Sequence, residues 1–140
     1  MKGPIIQATK LQSAVTPTAG AAGATNINGS IIDMAGFDAC LIAVHFGAIV
    51  AGALTSIKAQ QGDDSGLSDA ADVAGSSVTV ADTDDDKVFY IDVRPRKRYL
   101  RLVVSRATQN ATVCASYLQY DAHDEPSAQL AAVTGATVTA

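Results

Sequence analysis

Between Lys87 and Asp121 the chain runs through successive stretches in which apolar and polar positions alternate. Val88, Tyr90 and Asp92 face one way, and Phe89, Ile91 and Val93 the other. Leu100, Leu102 and Val104 oppose Tyr99, Arg101 and Val103. Val113, Ala115, Tyr117 and Gln119 oppose Cys114, Ser116, Leu118 and Tyr120. A period of two marks strands with one buried face, because successive side chains leave a strand on opposite sides. Short polar connections join the stretches, so the segment predicts an antiparallel sheet. It carries no recognisable catalytic group.

The pattern elsewhere is shorter and looser. Ile5–Val15 predicts a first strand or an extended arm, and Thr16–Gly29 has a loop composition of Pro, Gly, Ala, Thr and Asn. Ser30–Met34 predicts a short strand, Ala35–Gly36 a turn, and Phe37–Phe46 a strongly apolar central strand. Gly47–Ala53 predicts a wide turn and Leu54–Gln61 a half-exposed strand. Gly62–Ser77 is a long acidic connection with a helical turn expected around Leu67–Val73; Ser77–Val80 is a short strand and Asp82–Asp86 a turn. No segment sustains a 3.6-residue period with caps. Short strands separated by turn signals predict an all-β chain, an antiparallel sandwich with a jelly-roll-like arrangement.

The expected organisation is an N-terminal strand or arm and loop over 1–29, a β-sandwich over 30–126, and a tail over 127–140. That tail, SAQLAAVTGATVTA, has no charge and low complexity, which predicts a flexible or partner-bound segment. Phe37, Leu41, Phe89, Ile91, Leu100, Leu102 and Leu118 are the expected core.

At 140 residues the chain is one domain in length and can bury a core without disulfides. Hydrophobic residues make up 48%, much of it Ala and Val, while aromatics are 5% and Trp is absent. Small and β-branched side chains suit closely packed sheets. Charged residues, at 17%, fall below the usual quarter. A net charge of −4 disfavours nucleic acid as a partner. Cys40 and Cys114 lie in expected strands, where a cysteine is by default a small buried hydrophobe. The start, MKGPIIQATK, does not read as a secretory signal, so synthesis in the cytoplasm is expected. The apolar run Phe37–Leu54 contains Asp38, His45 and glycines, and reads as a strand entering a turn rather than a membrane span.

Candidate chemistry is sparse. Asp82-Thr83-Asp84-Asp85-Asp86 begins like a calcium loop, but Lys87 and Val93 stand where such a loop needs Gly and Glu. Calcium binding and a solvated hairpin turn both remain open. Arg94-Pro95-Arg96-Lys97-Arg98 is the strongest charge feature, and Pro95 places it in an exposed turn. It reads either as a solvated turn or as a docking patch for an acidic protein surface, with Arg94, Arg96, Lys97 and Arg98 as the docking residues. His45, in an apolar strand, reads as a core or interface residue, and His123 lies in a polar exit. No nucleophile–base pair, phosphate loop or metal-ligand spacing occurs, so no enzyme activity, cofactor or metal is expected.

Gly36-Phe37-Asp38-Ala39-Cys40 opens an apolar strand, and Leu54–Asp64 runs as a strand ending in Gln, Gly and Asp. An acidic, Ala/Gly-rich loop follows at Leu67–Gly75, then strand Phe89–Val93, the element Lys97-Arg98-Tyr99-Leu100-Arg101, and a closing strand Val113–Tyr120. This layout, over about residues 30 to 126, resembles the capsid decoration (cement, head-stabilising) proteins of tailed bacteriophages. The resemblance implies a sandwich on the outside of the phage head that binds the major capsid protein lattice, often as a homotrimer, with no nucleic acid or membrane partner. The alternatives are a head–tail or tail structural protein with the same sandwich, and a carbohydrate-binding jelly-roll module. The last is disfavoured by the absence of Trp.

Overall fold

The protein is described here by a computed structural model, which covers residues 3–18, 25–108 and 111–138, the side chains of 107 and 108 excepted. Part of the expected loop Thr16–Gly29 therefore lies outside the described residues, as do the last two residues of the tail. The elements in order are α1 (Ile5–Ala8), β1 (Lys10–Thr18), β2 (Ile27–Asn28), β3 (Ile32–Asp33), β4 (Phe37–Ile49), β5 (Leu54–Gly62), β6 (Ala71–Asp72), β7 (Val78–Val80), β8 (Val88–Val93), β9 (Tyr99–Thr108) and β10 (Ala111–Ala122).

The strands form two antiparallel sheets. One has the order β1-β10-β4-β8. The other has the order β2-β9-β5-β6, with β3 also on β9 and β7 also on β5. Their buried faces pack together as a sandwich with jelly-roll winding: β4, β8 and β10 lie in one sheet while β5, β7 and β9, between them in sequence, lie in the other. The stretch Lys87–Asp121 is therefore not a single sheet. Its strands β8 and β10 both pair with β4, and β9 pairs with β5. The alternation identifies each strand but not its neighbour, because both sheets bury one face and the chain crosses the core at each connection.

Cys40, Ile42, Val44 and Phe46 of β4, Ile91 and Val93 of β8, and Val113, Ala115 and Tyr117 of β10 line one side of the core. Ile57 and Ala59 of β5 and Leu100, Leu102 and Val104 of β9 line the other. Phe46 meets Phe89 edge-on, with ring centroids 5.6 Å apart. Of the expected core, Ile91, Leu100 and Leu102 are buried, and Phe37 and Phe89 pack partly buried against it. Leu41 and Leu118 are a correction. They are register partners on the outer face of their sheet, half-buried beside α1. Both faces of β4 are apolar, so alternation could not choose between them; Tyr117 faces inward because its hydroxyl finds partners there.

Those partners come from an irregularity in the second sheet. Ile27 and Asn28 pair with Val104 and Val103, but Ile32 and Asp33 pair with Leu100 and Tyr99, a slip of one residue. Gly29 still donates its amide to the Leu102 carbonyl of β9 at 2.7 Å, and the chain bulges away at Ser30. Ser30 donates its amide instead to Ala14 of β1, at 2.9 Å, and so ties the two sheets together.

One shorter expectation also changes. Leu67–Val73 forms no helix. Asp69 accepts the Asp63 and Asp64 amides at 2.8 and 3.2 Å, and Asp64 accepts those of Gly66 and Ser68 at 3.0 and 3.1 Å. Asp side chains satisfying nearby amides fix a loop at the expense of helix. The tail is anchored at its start: Ser127 donates its amide to Gln7 at 2.8 Å, and Gln129 bonds Thr9 and accepts the Leu11 amide at 3.1 Å. No helix among the described residues is long and apolar enough to cross a membrane, and the run Phe37–Leu54 lies in β4 and the turn after it.

Candidate docking site

The turn 94–98 carries the chain from β8 in one sheet to β9 in the other. Its backbone is held by Gln61 of β5, whose Oε1 accepts the amides of Arg96 at 2.8 Å and Lys97 at 3.3 Å. A side-chain acceptor from a neighbouring strand fixes a turn that has no ladder of its own.

Three of the four basic side chains meet carboxylates brought from distant sequence. Arg94 pairs with Asp121 and lies over the Tyr120 ring at 5.8 Å. Lys97 pairs with Asp63 at 2.6 Å. Arg98 grips Asp33 in a two-pronged contact at 3.0 and 2.9 Å and stacks on Tyr99 at 5.4 Å. The Arg98 hydrogen bond holds the Asp33 carboxyl below the usual carboxylate range. Arg94, Lys97 and Arg98 are each shifted up by the hydrogen bond to their own partner. All of these pairs are solvent-exposed, so each contributes little to stability. Arg96 is different: its guanidinium is exposed and makes no ion pair among the described residues. Asp33, Asp63, Asp121 and Gln61 carried no signal in the sequence, because each lies across the fold from its partner.

A shallow depression of about 420 Å³ adjoins the turn, lined by Phe37, Pro95, Arg96, Lys97 and Arg98 and closed by the Asp38–His123 pair. His123 Nε2 lies 2.8 Å from Asp38 Oδ1, and this bond pushes the imidazole pKa up from its ordinary value. The site therefore offers one unpaired guanidinium, a rigid backbone and a mixed-charge rim. That chemistry fits an acidic side chain of another protein.

The acidic turn is not a free hairpin, since it joins β7 to β8 across the sandwich. Its carboxylates cap the β4–β5 connection: Asp85 accepts the Ile49 amide at 2.7 Å and Asp82 that of Gly52 at 2.6 Å. Asp84 accepts the Ala81 amide at 2.9 Å and pairs with Lys87 at 2.6 Å. Among the described residues no group of three His, Cys, Asp or Glu side chains is placed to hold a metal ion.

Cys40 is fully buried, and burial pushes its thiol up to about 12. Cys114 is half-buried on the outer face, beside its register partner His45. His45 itself is exposed, not in the core. Of the four tyrosines only Tyr90, 70% exposed, presents an open ring; Tyr99 and Tyr120 lie under Arg98 and Arg94, and Tyr117 is buried.

No family model matches the chain, and no curated protein matches it. Among solved structures it is similar to one described as "Bacillus endospore appendages form a novel family of disulfide-linked pili", with a TM-score of 0.51 and 12% sequence identity over 81% of this chain and 88% of that one. At that identity the likeness bears on the fold alone.

Proposed function

We propose that the chain is a structural subunit of a large assembly, and specifically a decoration protein that binds the outer surface of a tailed-phage head. The observation that carries this reading is the turn 94–98. It is locked by Gln61, Asp33, Asp63 and Asp121, and it leaves Arg96 unpaired at one end of a rigid sandwich. A pre-formed turn loses little entropy on docking. A head stabiliser must bind the expanded lattice better than its precursor, since a ligand shifts a two-state equilibrium only through differential affinity. The resemblance of residues 30 to 126 to cement proteins supports the same reading.

The test is co-sedimentation of the purified protein with expanded heads and with unexpanded precursors. Binding is expected to the expanded form alone. It should fall with salt, because surface attraction is screened over roughly 8 Å at physiological ionic strength. Arg96→Gln should weaken it more than Arg94→Gln, whose charge is already met by Asp121. Equal binding to both shell forms, or to neither, removes the reading.

A second reading, favoured by the pilus neighbour, is a fibre subunit. Cys40 is closed to intermolecular disulfides by its burial, so linkage would fall to Cys114. Oxidised protein running as a ladder on a non-reducing gel, abolished by Cys114→Ser, would favour the fibre.

A further inference from the structure

The first sheet ends in β1 on one side and β8 on the other, and the two edges differ. β1 is blunted: its pairing with β10 is interrupted by two register shifts, and it contains Pro17. β8 has no such protection. It pairs with β4 through six consecutive residues without a bulge, from Cys40↔Val93 to His45↔Val88. It holds no proline and no lysine. In the second sheet the outer strands β2, β3, β6 and β7 are only two or three residues long. Natural proteins shorten, kink or charge their edges to prevent pairing with other chains, and β8 alone among these edges is long, flat and largely apolar.

The unused main-chain groups can be assigned. Phe46 donates its amide to the Lys87 carbonyl at 3.0 Å, in the register that continues along the ladder. Antiparallel partners alternate between bonded and non-bonded pairs. The amides and carbonyls of Phe89, Ile91 and Val93 therefore face β4, and those of Val88, Tyr90 and Asp92 face outward. The side chains of Val88 and Tyr90 are 59% and 70% exposed. Beside this edge runs a trough of about 210 Å³ lined by Ala74, Gly75, Ser76, Val78, Ile91 and Val93.

The chain contains a segment of matching chemistry. From Leu130 to Val138 the tail makes one backbone hydrogen bond among the described residues, Val133 to Leu130 at 2.9 Å, and forms no strand. Its Val and Thr residues favour extended structure, its Ala and Gly residues are small, and none carries a charge to repel an acidic protein. Leu130 and Val138 are 42% and 80% exposed. Ser127 and Gln129 anchor the tail beside α1 and β1, at the edge opposite β8. A tail leaving from the β1 side faces the β8 edge of a second copy laid alongside.

We propose that residues 130–138 of one copy add as a strand to the open β8 edge of the next, bonding the main chain of Val88, Tyr90 and Asp92 and setting small side chains into the adjoining trough. Strand addition of this kind takes its strength from main-chain bonds and its selectivity from alternate side-chain pockets. The contact is heterologous, so it closes into a ring or continues as a filament. It requires no capsid, and it stands or falls separately from the decoration reading.

The test uses three full-length variants in sedimentation-velocity experiments over a concentration series. Tyr90→Lys charges an exposed edge position, with Val88→Lys as a second edge variant. The double substitution Ala136→Pro and Thr137→Pro removes a tail donor whichever way the segment faces. Wild-type protein should self-associate, and each variant alone should do so at least about tenfold more weakly, a loss of about 1.4 kcal/mol. Mixing the Tyr90→Lys protein, which keeps its tail, with the proline variant, which keeps its edge, should restore a two-copy complex that grows no further. A monomeric wild type, a variant that associates like wild type, or a mixture that stays monomeric would overturn the proposal.

Discussion

The Tyr117 hydroxyl accepts the Leu102 amide at 2.7 Å and donates to the Ser30 carbonyl at 2.8 Å, so one side chain of the first sheet completes the hydrogen bonding of a bulge in the second. Gly29 lies so close that a Cβ on it would stand 2.8 Å from the hydroxyl and 3.1 Å from two carbonyl oxygens. Tyr117→Phe should therefore cost about 1–3 kcal/mol, because it strands a buried amide and a carbonyl. Gly29→Ala should also destabilise, by displacing the ring. Denaturant unfolding at unchanged slope measures both.

The faces of the first sheet make a second prediction. Leu102 is fully buried, and Leu102→Ala should cost about 2–5 kcal/mol. Leu41→Ala and Leu118→Ala, on the outer face, should each cost less than about 1.5 kcal/mol. Comparable losses at all three positions in equilibrium unfolding would place the leucine pair in the core instead.

Thr55 is 5% exposed, and its hydroxyl has no hydrogen-bond partner among the described residues. Replacing a stranded buried hydroxyl by a methyl removes a desolvation cost without changing shape. Thr55→Val should leave stability unchanged or raise it by up to about 1–2 kcal/mol. A clear fall in the thermal midpoint would show that the hydroxyl is satisfied.

His123 gains its bond to Asp38 in the folded state, with Asp124 adding a smaller attraction, and its pKa is raised. The sign follows by linkage: the contribution is fully present below the ordinary histidine value of 6.5 and is lost as pH rises through the raised folded value. An NMR titration should place His123 above free histidine, and Asp38→Asn should bring it back towards that value. An unchanged titration in Asp38→Asn would assign the shift elsewhere.

The strands were legible where alternation was long and flanked by turns, as at Phe37–Phe46, Leu54–Gln61 and Val88–Val93. β3 lies inside the short strand expected at Ser30–Met34, but β2 and β6 were not resolved by pattern, because two residues are too few to show a period and each is held by a neighbour rather than by propensity. The facing of Leu41 and Leu118 was decided by Tyr117 and α1, which no local window contains. At the candidate site the basic turn was plain, but its neutralising partners were not. Asp33 lies 65 positions from Arg98, and Gln61 lies 35 from Arg96. Only the jelly-roll crossing brings them together, and it reduces a run of four cations to one unpaired guanidinium.

Cryo-electron microscopy of the purified particles with which this chain co-purifies tests the proposed decoration role most directly. The account predicts a two-sheet sandwich bound on the outer face of the head lattice, with the turn 94–98 directed at the major capsid protein and Arg96 against an acidic side chain. A head surface fully occupied by other proteins, or this sandwich found only in the tail, would contradict it.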